Sequence, residues 1–209
     1  MVDYTQNTAS FHFGPYKKVA GNKLSTQHNM DFQVISVGAD SATALSQVAT
    51  RLFLETYGLA DTHPLPDYVD EYIESNLSAN VQMKELNDTG VYTYMVYEQV
   101  GNTTPIAYCQ LRNQKHDNDD VIDDPNALEL RRLYIDQRYH GVGIGKRLIL
   151  QCIAKAKELG KKTIWLYVWV NNSNAIGFYE RQGFHKAGTR HFMMGDFEAV
   201  NHIMIKKIE

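Results

Sequence analysis

The sequence predicts an α/β fold: a mixed central sheet of about six to seven strands, antiparallel in its N-terminal part, with helices on both faces. Three observations point there. Short β-rich runs alternate with stretches of helical apolar spacing. The run Leu128 to Ile135, a glycine-rich turn, an amphipathic stretch and the apolar run Thr163 to Val170 read as one βαβ unit, which requires a parallel strand pair. Finally, 209 residues of 44% hydrophobic composition suffice for one substantial core and favour one domain over two.

Residues 1–30 are rich in Ser, Thr, Asn, Gln and His with little apolar periodicity, so they read as a polar N-terminal extension. The domain is expected over 31–209. Asp31 to Val37 alternates Phe32, Val34 and Ile35 with polar neighbours, a short strand, and Gly38 to Asp40 supplies the break and helix cap. Leu45, Val48, Ala49, Leu52 and Phe53 then form a helical stripe ending at Gly58. A second helix opens at Pro66, with Leu65, Val69, Tyr72 and Ile73 on one face and Asp67, Asp70, Glu71 and Glu74 elsewhere. Val91 to Val100 and Pro105 to Arg112 are joined by Gly101 to Thr104 and read as an antiparallel hairpin. Asp117 to Pro125 reads as an acidic loop.

Past the glycine turn, Leu148, Ile149, Cys152, Ile153, Ala156 and Leu159 recur at helical spacing, with Gly160 as terminator. Thr163 to Val170 is nearly continuously apolar, as a strand covered on both faces should be. Asn172 or Ser173 then caps a helix to Gln182, and closing strands follow at about Phe184 to Arg190 and Ala199 to Lys206.

Bulk properties exclude several classes. A formal net charge of -3 and the lack of a Lys/Arg run give no general attraction to nucleic acid or to an acidic membrane. No stretch approaches the roughly 18 apolar residues of a membrane span, and no apolar segment follows basic residues near the start. Cys109 and Cys152 occur in separate apolar contexts without a CxxC pair, which suits reduced, buried thiols in a cytoplasmic protein. The eight histidines form no pair at metal-ligand spacing, so no metal is implied.

The segment His140-Gly141-Val142-Gly143-Ile144-Gly145-Lys146 lies between a strand and a helix, where uncapped N–H groups and glycine backbone can converge on a phosphate. Its GxGxG spacing is not the GxGxxG of dinucleotide binders. Nor is it a nucleotide-hydrolase loop: Lys146 is followed by Arg147, and His140 stands where the earlier glycine is needed.

With its flanks, Glu129-Leu130-Arg131-Arg132-Leu133-Tyr134-Ile135 before and Asn174-Ala175-Ile176-Gly177-Phe178-Tyr179-Glu180-Arg181-Gln182-Gly183-Phe184 after, the loop resembles that of the GCN5-related N-acetyltransferases, the GNAT superfamily. The resemblance covers residues 31–209 by element order and implies the GNAT fold with acetyl-CoA as cofactor. It implies that His140, Gly141, Val142, Gly143, Ile144, Gly145 and Lys146 cradle the pyrophosphate of coenzyme A, while backbone groups of Leu133, Tyr134 and Ile135 pair with pantetheine. The family usually carries Gln or Arg where this chain has His140. Trp165 to Trp169, His191 to Asp196 and the Glu55-Thr56-Tyr57 step further resemble PaiA-type spermidine/spermine acetyltransferases.

Two catalytic residues follow from the same resemblance. Tyr179 is the expected general acid for the departing thiolate, although a buried helix tyrosine also serves packing. Glu129 is the expected acceptor of the amine proton, although a carboxylate at a strand end is often a solvated charge. Asn174 is expected to contact the cofactor or to cap its helix. Asp117, Asp119, Asp120, Asp123 and Asp124 could attract a polycation, or be an ordinary solvated loop.

The expected activity is therefore acetyl transfer from acetyl-CoA to a primary amine, with a polyamine as acceptor. Another small amine, a protein amine, or a coenzyme-A-sensing protein without turnover stay open as alternatives. A homodimer stays open as an assembly.

Overall fold

The computed structural model describes residues 32–98, 103–113, 124–194 and 197–208. The predicted extension at 1–30 and most of the acidic loop, Asp117, Asp119, Asp120 and Asp123 included, lie outside the described residues. In chain order the elements are β1 (Phe32–Val37), α1 (Ala42–Tyr57), α2 (Asp67–Asn76), α3 (Ala79–Asn87), β2 (Val91–Glu98), β3 (Pro105–Arg112), β4 (Ala127–Ile135), α4 (Ile144–Glu158), β5 (Thr163–Trp169), α5 (Ser173–Arg181), β6 (His185–Met194) and β7 (Phe197–Lys207).

Seven strands form one sheet in the order β1-β2-β3-β4-β5-β7-β6. Pairing is antiparallel except between β4 and β5, the two strands joined by the α4 crossover, as a βαβ unit demands. The predicted mixed sheet is thus observed. Its two faces carry separate cores. On one, Leu128, Leu130, Ile164, Leu166 and Val168 pack against Ile144, Leu148, Ile149 and Cys152 of α4 and Tyr179 of α5. On the other, Met95 and Tyr108 pack against Leu45, Val48, Leu52 and Phe53 of α1 and Val69 of α2. The two cysteines, remote in sequence, meet in the first core as free thiols with their sulfurs 3.8 Å apart.

The structure adds one helix and lengthens two strands relative to the sequence reading. α3 has no apolar stripe because its one buried side chain is Gln82, whose amide donates to the Asn76 carbonyl at 2.9 Å. β6 runs on to Met194 because Phe192 packs edge-on against Tyr167, with ring centres 4.9 Å apart, a tertiary contact that local spacing does not report.

Two irregularities shape the middle of the sheet. β4 and β5 pair only at Ala127, Leu128 and Glu129, opposite Thr163, Ile164 and Trp165. Beyond that point β4 stays with β3 and β5 with β7, so Leu130 to Ile135 and Leu166 to Trp169 part into a V-shaped gap. Just past the apex, the β3–β4 ladder steps from Leu111↔Leu130 to Gln110↔Arg132, which makes Arg131 the extra residue of a β-bulge.

The first core predicts a sharp contrast in stability. Leu128→Ala, at a fully buried position, should lower unfolding free energy by about 2–5 kcal/mol in urea titration. Leu150→Ala, on the exposed side of α4, should change it by less than about 0.5 kcal/mol.

Candidate active site

The open end of the V is roofed differently on its two sides. On the α4 side, the start of α4 and the middle of α5 converge on β4. A Cβ on Gly145 would lie 2.9 Å from the Phe178 ring and 3.3 Å from the Ile135 side chain, so glycine permits this approach. Tyr179 follows Phe178, 8% exposed, with its ring against Phe178 and Phe184 at 5.2 and 5.6 Å. Burial raises its phenol well above the ordinary value, and the nearby Cys152 and Cys109 thiols push the same way.

Between Ile135 and α4 runs the glycine loop. Gly141 and Gly143 have φ of 87° and 97°, a left-handed conformation that any Cβ would oppose. No side chain caps α4, and its first internal bond is Arg147 N–H to the Gly143 carbonyl at 3.1 Å. The N–H groups of Ile144, Gly145 and Lys146 therefore have no partner within the helix and lie at its positive end. The features suit a diphosphate: uncapped donors, open space where Cβ atoms at Gly141 and Gly143 would stand, and Lys146 exposed beside them. His140 opens the loop. Its ring Nε2 lies 2.9 Å from the Ile135 carbonyl, engaging the end of β4.

A buried charge network holds this loop. Asp136, 1% exposed, accepts from Arg138 N–H at 3.0 Å, from the Arg138 guanidinium at 2.6 Å and from Arg51 of α1 at 2.9 Å. Burial alone would raise its carboxyl, but these donors outweigh it and hold it below the usual range. Sequence reading passed over Arg51, Asp136 and Arg138, though an Asp directly after a strand and directly before a turn is a recognisable capping signal.

On the α1 side, Glu129 lies in the last bridged pair before the strands part. It is 5% exposed, and Arg112 Nε donates to its Oε2 at 2.8 Å. The solvated reading of Glu129 is therefore excluded. Farther along, Tyr57 at the end of α1 spans the gap. Its ring packs on Trp169 of β5 at 6.2 Å, and its hydroxyl hydrogen-bonds Tyr134 of β4. Burial lifts Tyr57 to about 12, and it raises Tyr72 and Tyr134 as well.

The structure brings together Leu133, Tyr134 and Ile135, the loop 140–146 and α5 around one gap, with Glu129 at its apex. Asn174 sits exposed in the first turn of α5; the cap is Asn172, whose side chain accepts from Ala175 N–H at 3.1 Å. Among the described residues, no helix is long and apolar enough to cross a membrane.

Comparison with known proteins agrees with this geometry. Residues 50–184 match the acetyltransferase (GNAT) family model. An uncharacterized N-acetyltransferase of Mycobacterium bovis is 33% identical over 80% of this chain and 97% of its own. The spermine/spermidine N(1)-acetyltransferase of Bacillus subtilis is 42% identical over 64 residues, covering 30% of this chain and 42% of its own. The crystal structure of the PaiA N-acetyltransferase of Thermoplasma acidophilum in complex with coenzyme A superposes with a TM-score of 0.63 at 22% identity, over 85% of this chain and 99% of that one.

Buried and half-buried phenols make stability fall at alkaline pH. Tyr57, Tyr72, Tyr108, Tyr134 and Tyr179 all have folded-state values raised above those of the unfolded chain. Their contribution is fully present below about pH 10 and is lost above it, as unfolded phenols ionise first. The thermal midpoint should be flat from about pH 7 to about pH 9 and drop steeply by about pH 11. A midpoint that holds to that pH contradicts the burial of these hydroxyls.

Proposed function

The chain belongs to the GNAT acetyltransferase family and is an acetyl-CoA-dependent N-acetyltransferase; from that premise we propose that it acetylates a primary amine, with a polyamine such as spermidine or spermine as acceptor. The observation that carries this reading is the parting of β4 and β5 beside the uncapped start of α4. When bound, acetyl-CoA supplies the acetyl group as an activated thioester. The N–H groups of Ile144, Gly145 and Lys146 and the turn from His140 to Gly143 would hold its diphosphate. Backbone groups of Leu133, Tyr134 and Ile135 on the inner edge of the gap would pair with pantetheine, and Asn174, exposed in the first turn of α5, would assist.

Tyr179 is the proposed general acid. Its buried hydroxyl keeps its proton throughout the neutral range. An ordinary phenol titrates near 10 and an ordinary thiol near 8.5, so full transfer to the departing sulfur is uphill and a hydrogen bond in a dry site supplies much of the help. Glu129 is the proposed acceptor of the amine proton, through water, with Arg112 fixing one carboxylate oxygen.

The polyamine reading is supported by the partial likeness to the Bacillus subtilis enzyme and by the rings of Tyr57, Tyr134 and Trp169, which suit an alkylammonium. One observation favours a second reading. Near the apex on this face, the carboxylates of Glu129 and Glu85 are ion-paired with Arg112, Arg131 and Arg132. Such a face also suits an amine that carries its own carboxylate, such as an amino acid or a peptide α-amine.

Incubation of the purified protein with acetyl-CoA and separate amines, read by thiol release and product mass, tests the acceptor. Acetylated spermidine or spermine is the expected product; turnover with amino acids or peptides alone assigns the second reading instead. Tyr179→Phe should lower kcat on the order of 10- to 1,000-fold with coenzyme A affinity nearly unchanged. An unimpaired Tyr179→Phe enzyme removes the general-acid role.

A further inference from the structure

We propose that Glu85 of α3 is a positioning residue for acetyl transfer, holding the bulged segment of β4 in shape through Arg131 and Arg132. This rests on the reading of the β4–β5 gap as the reaction site. Successive residues of a regular strand point to opposite faces. Arg131 and Arg132 nevertheless reach the same carboxylate. Arg131 Nη2 lies 3.1 Å from Glu85 Oε1, and Arg132 Nη1 donates to Glu85 Oε2 at 2.6 Å.

The bulge makes this possible. Because the ladder skips Arg131, two consecutive side chains emerge on the α3 side, and one carboxylate answers both. Arg132, 6% exposed, also donates to Gln110 Oε1 at 2.7 Å and to the Asn76 carbonyl at 2.9 Å. The network thus joins α2, α3, β3 and β4 at one point.

That point lies immediately past Glu129↔Trp165, the last pair before the gap opens. The bulge therefore sets where the inner-edge N–H and C=O groups after Leu130 point. Without the Glu85 charge, two adjacent guanidinium groups repel one another with one of them buried. The strand can relieve this by returning Arg131 to the opposite face in a regular pleat, which rotates the inner edge by one residue and misaims every group on it.

The test compares Arg131→Gln, Arg131→Lys and Glu85→Gln in the full chain, with acetyl-CoA and the best amine from the acceptor panel. Arg131→Gln removes the ionic half of the bulge contact and leaves Arg132 bonded to Glu85, so it carries the test even if Glu85→Gln does not fold. The expected result is a kcat about tenfold or more below wild type for Arg131→Gln and Glu85→Gln, with KM for acetyl-CoA within about threefold. Arg131→Lys, still able to meet the carboxylate, should recover most of the loss. A folded Arg131→Gln with kcat within about twofold of wild type, or with the loss confined to KM, overturns the positioning role. Wild-type protein that releases no thiol with any amine removes the reaction-site reading, and this role with it.

Discussion

The parting of β4 from β5 is the constraint around which the molecule is organised. Past Glu129 and Trp165 each strand stays bonded along its outer edge, β4 to β3 and β5 to β7, while the β4–β5 pairing ends. Where two inner edges do not pair with each other, a sheet interior is costly unless something polar lies between them. Helices therefore close both sides: α1 bridges the gap through Tyr57, and α4 and α5 meet over it at Gly145 and Phe178. The uncapped donors of α4 open onto the same mouth.

Charged side chains fix what the sheet leaves loose. Near the apex, Arg112 holds Glu129 and Glu85 holds Arg131 and Arg132. At the open end, Asp136 gathers Arg51 and Arg138 and so ties the glycine loop to α1. Buried ion pairs of this kind add little net stability because desolvation offsets attraction, but breaking one leaves an uncompensated charge. Their effect is to penalise every other geometry. That suits a strand whose register must be held with no neighbour along one edge.

Much of this was legible in the sequence. The βαβ unit, the hairpin of β2 and β3 and the glycine turn were marked by period and punctuation, signals that are local. The flanks of that turn carried the family resemblance. What escaped was tertiary. α3 is anchored by buried Gln82 and shows no stripe, and nothing in the spacing says that Glu85 meets residues 131 and 132. The bulge is likewise invisible, since a skipped ladder position leaves the order of residues unchanged. Tyr57 and Trp169 meet only because α1 crosses the gap.

The two sides of the gap differ in chemistry, and the difference follows the demands of amide formation. Toward α4 and α5 the wall is Ile135, Phe178 and Tyr179 over an apolar core, with a phenol that burial keeps protonated. Such a wall excludes water from an activated acyl group, and in a low dielectric even one hydroxyl is a strong donor to developing negative charge. Toward α1 and α3 the wall is ionic and aromatic, with Glu129 at the apex and Tyr57, Tyr134 and Trp169 beyond it. An incoming amine arrives as a cation and must lose a proton before it attacks, which needs rings or carboxylates to receive the charge and a base close to the meeting point. Exchanging the two walls would place the water-sensitive group on the polar side and the cation on the apolar one. On the proposed assignment of Tyr179 and Glu129, the splayed pair of strands would separate donor from acceptor chemistry and let the two meet past Glu129.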